Sequence, residues 1–240
     1  MKNDHCVLLA GGLGTRISSV TEGKIPKALI RIGGKPFLEY KIASLVEMGF
    51  KSVDILIGEH GEQIESFVEA QKYNDLRIRC FYDGPDLLGT AGSIAAVSKH
   101  LPDCFWVTYA DTYVKADIHG ADISFVNPDT CIMIVLRNRN QVEPSNISVD
   151  SVSKLVTKYE KSAENEEFEY IDFGILRLNK EAFNSIKTFP CDLKEVIQGQ
   201  ILTQNMHAYE TRELFWDIGK PERVQDTTAE FVKRGLCDRR

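Results

Sequence analysis

The chain has 240 residues, enough to bury a sizeable core, and its 43% hydrophobic and 27% charged content is an ordinary balance for a soluble fold. Its net charge of −6 argues against broad electrostatic attraction to nucleic acid, so a phosphorylated ligand must be held by a few placed cations. No apolar run reaches the ~18 residues of a membrane span, the N-terminus lacks the features of a signal peptide, and the six cysteines form no Cys-x-x-Cys pair and read as buried, reduced thiols. A cytoplasmic protein is the expectation.

Cys6 to Ala10 reads as a buried strand that ends at Gly11-Gly12. A glycine-rich, basic loop runs from there towards Pro36. Phe37 to Met48 has helical spacing and stops at Gly49. Val53 to Ile57 reads as a strand, Gly61 to Lys72 as an amphipathic helix and Ile78 to Phe81 as a strand. Leu88 to His100 is a glycine-rich loop entering a helix, and Phe105 to Ala110 is a strand that delivers Asp111. This alternation predicts an α/β fold with a mostly parallel sheet covered on both faces. Beyond residue 130 strands dominate: Cys131 to Arg137, Asn146 to Val149, Lys154 to Tyr159 and Tyr170 to Leu178. Ser162 to Glu169 has the acidic, polar composition of a loop. Helices return at Leu193 to Leu202 and Pro221 to Lys233. The expected layout is one domain over 1–240, with a nucleotide-binding half over about 1–115 and a strand-rich, acceptor-binding half over about 116–240.

The segment Leu9-Ala10-Gly11-Gly12-Leu13-Gly14-Thr15-Arg16, with Pro26-Lys27 further on, carries the strongest chemical signal. Its glycines let backbone N–H groups approach an anion. Arg16 can fork onto two phosphate oxygens, and Lys27 adds a point charge. The spacing is not that of a dinucleotide fingerprint, because Ile17 stands where the third glycine would be. It is not a P-loop either, because Pro36 follows Gly34-Lys35. Asp111 sits at the carboxyl end of a strand, where ligands of open α/β sheets bind, and an oxygen ligand there suits Mg²⁺.

Gly-Gly-x-Gly-Thr-Arg followed by Pro-Lys resembles the sugar-1-phosphate nucleotidyltransferases, with Ile17 where that pattern usually has Leu. The resemblance implies a Rossmann-like, mixed but mostly parallel sheet of the GT-A-like kind. It also implies condensation of a nucleoside triphosphate with a sugar 1-phosphate, aided by Mg²⁺, with pyrophosphate released. Leu9, Ala10, Gly11, Gly12, Gly14 and Thr15 would then hold the nucleotide. Gly89 and Thr90 match the second glycine motif, which meets the base, and Asp83 would accept from a guanine edge. Asp111 and Asp217, the latter in Trp216-Asp217-Ile218-Gly219-Lys220-Pro221, would hold the metal. Ala110 departs from the usual Gly before that first aspartate. Arg16 and Lys27 would be catalytic, at the leaving pyrophosphate and the transferring phosphoryl group. Asn146, Lys161, Asp172 and Gly174 would bind the acceptor, Asp172 replacing the usual Asn; Lys158 is a further candidate.

Met133 to Asn138, Ser145-Asn146, Tyr159-Glu160-Lys161, Ile171 to Gly174 and Trp216 to Gly219 together resemble the heptose- and mannose-1-phosphate guanylyltransferases, which favours GTP. UTP, dTTP and CTP stay open. So does a phosphocholine cytidylyltransferase, for which Tyr159, Tyr170, Phe173 and Trp216 could supply an aromatic pocket. A catalytically silent nucleotide-sugar sensor is the alternative of another class. Whether the chain is a homo-oligomer is left open.

Overall fold

The structure, a computed structural model, describes residues 4–73, 75–84, 86–125, 127–138, 143–160 and 168–238. Its strands are β1 (His5–Ala10), β2 (Arg31–Ile32), β3 (Lys35–Pro36), β4 (Ser52–Ile57), β5 (Arg77–Tyr82), β6 (Cys104–Tyr109), β7 (Thr112–Tyr113), β8 (Cys131–Arg137), β9 (Ile147–Val149), β10 (Val156–Tyr159), β11 (Tyr170–Asn179), β12 (Met206–Thr211) and β13 (Trp216–Asp217). Its helices are α1 (Ser18–Thr21), α2 (Phe37–Glu47), α3 (Gly61–Ala70), α4 (Thr90–Val97), α5 (Ile118–Ser124), α6 (Leu193–Leu202) and α7 (Pro221–Lys233).

β1 is central. It pairs in parallel with β4 on one side and β6 on the other, and β5 extends the parallel ladder beyond β4. Its side chains alternate between two cores, as a strand covered on both faces requires. Cys6 and Leu8 pack with Leu38, Ile42 and Leu45 of α2. Val7 and Leu9 pack with Ala91 and Ile94 of α4 and with Leu193 and Ile197 of α6. Asp192 and Glu195 form a capping box that starts α6.

β11 makes the sheet mixed. Ile175–Asn179 run antiparallel to β6, Tyr170–Asp172 and Leu176–Arg177 run antiparallel to β8, and Tyr170 also pairs with Ile147 of β9. The register shifts between Asp172 and Leu176, and Gly174 adopts φ +78° there. β11 therefore forks, with β6 along one stretch and β9 along another, and the fork opens the sheet beside Asp111.

Most expected elements stand within two residues of their predicted ends. The main additions are β12 and α5. β12 lies parallel to β8, with Met206 and Ala208 buried, His207 between them and Tyr209 and Glu210 after them. Its polar content masked the period-2 pattern. α5 is one short helix of seven residues with a glycine inside it, and Asp117 caps it through the Gly120 N–H.

Two short pairings shape the cleft rim. β7 and β13 pair antiparallel, with Asp217 opposite Thr112, and the Ile218 N–H donates to the Asp111 carbonyl at 3.0 Å. Pro221 at the first helical turn then turns the chain into α7. α7 buries Phe231 among Ile17, Ile32, Phe37, Tyr40, Tyr113 and Ile218, and so ties the glycine loop to β13. On the other side of the loop, Gly58 follows β4. A Cβ there would lie 2.8 Å from the Gly11 carbonyl oxygen and 3.1 Å from its Cα.

Gly58→Ala should therefore push the glycine loop away and cost about 1–3 kcal/mol in denaturant unfolding, as overpacking does elsewhere. An unchanged unfolding midpoint would contradict this close approach.

Candidate functional site

Two clefts meet at Asp111. The first, with an open volume of about 740 Å³, is lined by Leu9, Ala10, Gly11, Gly12, Gly14, Lys27, Asp83, Gly89, Thr90, Ser93, Tyr109 and Asp111, among others. The second, about 1010 Å³, is lined by Arg16, Tyr109, Asp111, Glu143, Asp172, Gly174, Phe215, Asp217, Lys220 and Arg223, among others. Tyr109 and Asp111 belong to both walls. Most of the residues expected around a nucleotide thus face one cleft, and Arg16 reaches the other. Thr15 opens the short 3₁₀ turn after the loop and lines neither cleft.

The loop geometry follows from its glycines. Gly14 sits at φ +63°, which a side chain would resist. The Ile17 N–H donates back to the Gly14 carbonyl, and Ile17 is fully buried, so Arg16 is turned outward. Among the described residues Arg16 makes no side-chain hydrogen bond or ion pair. Lys27 follows Pro26 on a second 3₁₀ turn, and its Nζ donates to Asp111 Oδ2 at 2.5 Å.

Asp217 lies close to that pair. Its Oδ1 accepts from the Gly219 N–H at 2.8 Å, and Arg223 Nε stands 3.8 Å from its Oδ2. Burial pushes the Asp217 carboxyl up. The Gly219 N–H opposes that rise, the charge of Asp111 adds to it, and Lys27 and Lys220 oppose it. Arg223 also pairs with Glu143. With Asp111 beside it, Asp217 completes a pair of carboxylates that is a donor set suited to a hard divalent cation. Among the described residues no group of three or more His, Cys, Asp or Glu gathers as a larger metal cluster.

Asp83 lies beside the glycine loop, where a Cβ on Gly11 would come within 2.9 Å of its Oδ2. That oxygen accepts from Ser93 Oγ at 2.7 Å, and burial pushes the carboxyl up against this bond. At Gly89 the chain has φ +75° and passes the Cys191 backbone closely; a Cβ would lie 2.5 Å from the Cys191 carbonyl oxygen. That carbonyl accepts from the Ala91 and Gly92 N–H groups, and Thr90 Oγ1 accepts from the Leu193 N–H. The second glycine motif thus locks α4 to α6 as well as lining the first cleft.

In the second cleft Asp172 is held from three sides. Its Oδ1 accepts from the Gly174 N–H at 2.8 Å and its Oδ2 from the Tyr159 hydroxyl at 3.3 Å. Its own N–H donates to Asn146 Oδ1 at 3.1 Å. Lys161 lies outside the described residues, as does most of the Ser162 to Glu169 segment. Lys158 is exposed on β10 and lines neither cleft.

Of the aromatic candidates for a choline pocket, Phe173 is among the residues lining the second cleft, and each of the four has a partner within the fold. Phe173 is fully buried and meets Phe215 edge-on, Trp216 lies under the Arg234 guanidinium at 4.0 Å, Tyr170 faces Arg137, and Tyr159 bonds Asp172. Tyr109, Ser93, Glu143, Lys220 and Arg223 were not singled out from sequence. Lys220 stands inside the Asp217 to Pro221 segment and Arg223 in the first turn after it, so proximity to Asp217 was their available signal.

The profile of the MobA-like NTP transferase domain matches residues 6–168. The D-glycero-alpha-D-manno-heptose 1-phosphate guanylyltransferase of Campylobacter jejuni is 26% identical over 220 residues, which cover 91% of this chain and 96% of that protein. The choline-phosphate cytidylyltransferase of Streptococcus pneumoniae is 41% identical, but over only 63 residues, 26% of this chain and 27% of that protein. Among solved structures, HddC from Yersinia pseudotuberculosis complexed with GMP-PN superposes with a TM-score of 0.77 at 24% identity, over 95% of this chain and 99% of that one. The glycine loop, Lys27 and Asp111 all fall within the matched segment, and the chain belongs to the MobA-like NTP transferase domain family of nucleotidyltransferases.

Proposed function

We propose that this nucleotidyltransferase joins GTP to a heptose or mannose 1-phosphate in the cytoplasm, giving a GDP-sugar and pyrophosphate. The observation that carries this reading is the meeting of two clefts at Asp111, with Arg16, Lys27 and Asp217 around the junction. The first cleft offers a glycine loop to a triphosphate, and the second offers polar groups to a sugar phosphate. In this reading about residues 1–115 serve the nucleotide and about 116–240 the acceptor.

The chemistry asks for no general base. A phosphomonoester is largely dianionic near neutral pH, its second pKa being roughly 6, and none of the five histidines lines either cleft. The barrier is electrostatic, since one anion must attack another in line at the α-phosphorus. Catalysis is then positioning plus charge neutralisation. Arg16, exposed in the wall of the second cleft, is suited to the departing pyrophosphate. Lys27 can neutralise either Asp111 or a phosphoryl oxygen. Lys220 and Arg223 add positive charge on the acceptor side. Asp111 and Asp217 would hold Mg²⁺, which when bound supplies charge neutralisation at the phosphates.

Guanine presents two adjacent N–H donors, and the Asp83 carboxylate at the wall of the first cleft can accept from both. That supports GTP over UTP or dTTP. Of Tyr159, Tyr170, Phe173 and Trp216 only Phe173 lines the second cleft, and it is fully buried against Phe215, which speaks for a hydroxylated acceptor over choline. The presence of Arg16, Lys27, Asp111 and Asp217 together speaks against a silent sensor.

The decisive test is pyrophosphate release with Mg²⁺, crossing five nucleoside triphosphates against mannose-, glucose- and heptose 1-phosphates and phosphocholine. Release with GTP and a heptose or mannose 1-phosphate is expected. Release only with CTP and phosphocholine, or none with nucleotide-sugar binding retained, would overturn the reading. Lys27→Ala should lower kcat by ~10²–10³, as loss of one preorganised charge does elsewhere; near-normal turnover of a folded variant would exclude the assigned role.

Asp217 carries a stability signature too. Its folded pKa is raised above the unfolded value of about 3.9. The folded state therefore holds that proton more tightly, and stability is lost as pH rises from the unfolded value through the folded one. Asp217→Asn keeps an oxygen for the Gly219 N–H and removes this loss. Metal-free Asp217→Asn should be at least as stable as the parent at pH 7 in denaturant titration. A deficit beyond ~1 kcal/mol would show that the carboxylate is not strained there.

A further inference from the structure

Lys41, on α2, is fully buried behind the sheet, among the largest side chains with no exposed surface. Lysine is rarely buried without a carboxylate partner, because its ammonium is costly to desolvate. Here the partner recorded for its Nζ is a hydroxyl, Thr108 Oγ1 at 2.9 Å. Thr108 lies on β6 opposite Leu8 and Ile175, and its hydroxyl donates onward to the Gly174 carbonyl at 2.7 Å. Gly174 is the φ +78° residue at the fork of β11, and its N–H donates to Asp172 Oδ1. A continuous run of hydrogen bonds thus leads from a helix behind the sheet, through the sheet, to the wall of the second cleft. The β6–β11 ladder begins at Ile175, so the Thr108 hydroxyl carries the pairing one residue past its end. At that point β11 leaves β6.

We propose that Lys41 is a positioning residue for the acceptor. Through Thr108 it fixes the Gly174 carbonyl, and with it Asp172, at the fork of β11. The proposal rests on the reading of the second cleft as the acceptor site. An apolar residue of similar length would fill the same space without the desolvation cost, so filling space does not account for an amine here. Burial lowers the Lys41 pKa to about 7, against opposing pulls from Cys6 and Asp111. The relay needs a donor to Thr108 more than it needs a charge, and a neutral amide can serve.

The test uses Lys41→Met, Lys41→Gln and Thr108→Val in the full chain, with two readouts. By hydrogen exchange, amides of 170–176 should exchange about tenfold faster in Lys41→Met and Thr108→Val, with those of β1 and β4 unchanged and Lys41→Gln close to the parent. In steady-state kinetics, KM for the sugar phosphate should rise about tenfold in the same two variants, with KM for the nucleotide unchanged and Lys41→Gln restoring it. The Lys41→Met protein should melt no lower than the parent, since it loses a buried amine. Unchanged exchange over 170–176, uniform acceleration across the sheet, or equal changes in both KM values would overturn the proposal. So would local loosening with an unchanged acceptor KM. If the parent transfers to no sugar phosphate, the functional reading fails separately, and the exchange measurement still decides whether Lys41 holds the fork.

Discussion

Where β6 ends, the Lys27 ammonium meets the Asp111 carboxylate at 2.5 Å, with Asp217 on the neighbouring strand pair. Two carboxylates this close in a partly buried rim repel one another, and a cation must stand between them and the protein's other charges. The surrounding structure serves this constraint. The 3₁₀ turn after Pro26 aims Lys27, the parallel β1–β6 pair delivers Asp111, and the Asp111 carbonyl accepts the Ile218 N–H so that β13 cannot drift. α7 then clamps β13 to the glycine loop through Phe231, Ile218 and Ile17. In the function proposed, the same residues that crowd charge at the rim would receive the phosphates and a divalent cation. This is the usual conflict between stability and function at a site.

The division of labour proposed for the two clefts depends on the forked sheet. Were β11 paired with β6 along its whole length, residues 172–174 would lie inside the ladder and offer nothing to a ligand. At the left-handed Gly174 β11 leaves β6 while keeping β8, and the Tyr159 hydroxyl and Asn146 amide hold Asp172 in place. The buried Lys41–Thr108 relay reaches the same point from behind. Position in the fold, more than residue type alone, turns an ordinary aspartate into a cleft-wall group.

Much of this was legible before the structure, and the reasons differ by region. β8, α6 and α7 have the predicted ends because strong period-2 or period-3.6 patterns are bounded by clear signals, such as Pro221 and the Asp192 cap. β12 escaped because half of its residues are polar and its apolar face is only Met206 and Ala208. The β7–β13 pairing could not be seen at all. It joins two-residue stretches about a hundred positions apart, and no local pattern encodes such a contact. The glycine loop, Lys27 and Asp111, which line one cleft, stood out in the sequence because their spacing is unusual. Lys220 and Arg223 did not, since a lone exposed cation has no signature until its neighbours are known. Gly89 carries two meanings at once, a cleft wall and a close contact with Cys191, and sequence could not separate them.

In the proposed function Asp111 and Asp217 act as one cation-dependent unit with the nucleotide. Calorimetric titration of GTP, with and without Mg²⁺, tests it most directly in the parent and in Asp111→Asn and Asp217→Asn. Mg²⁺ should tighten GTP binding in the parent by at least about tenfold, and either substitution should remove that coupling while leaving metal-free binding nearly unchanged. Coupling retained in both variants would contradict it and place the cation elsewhere.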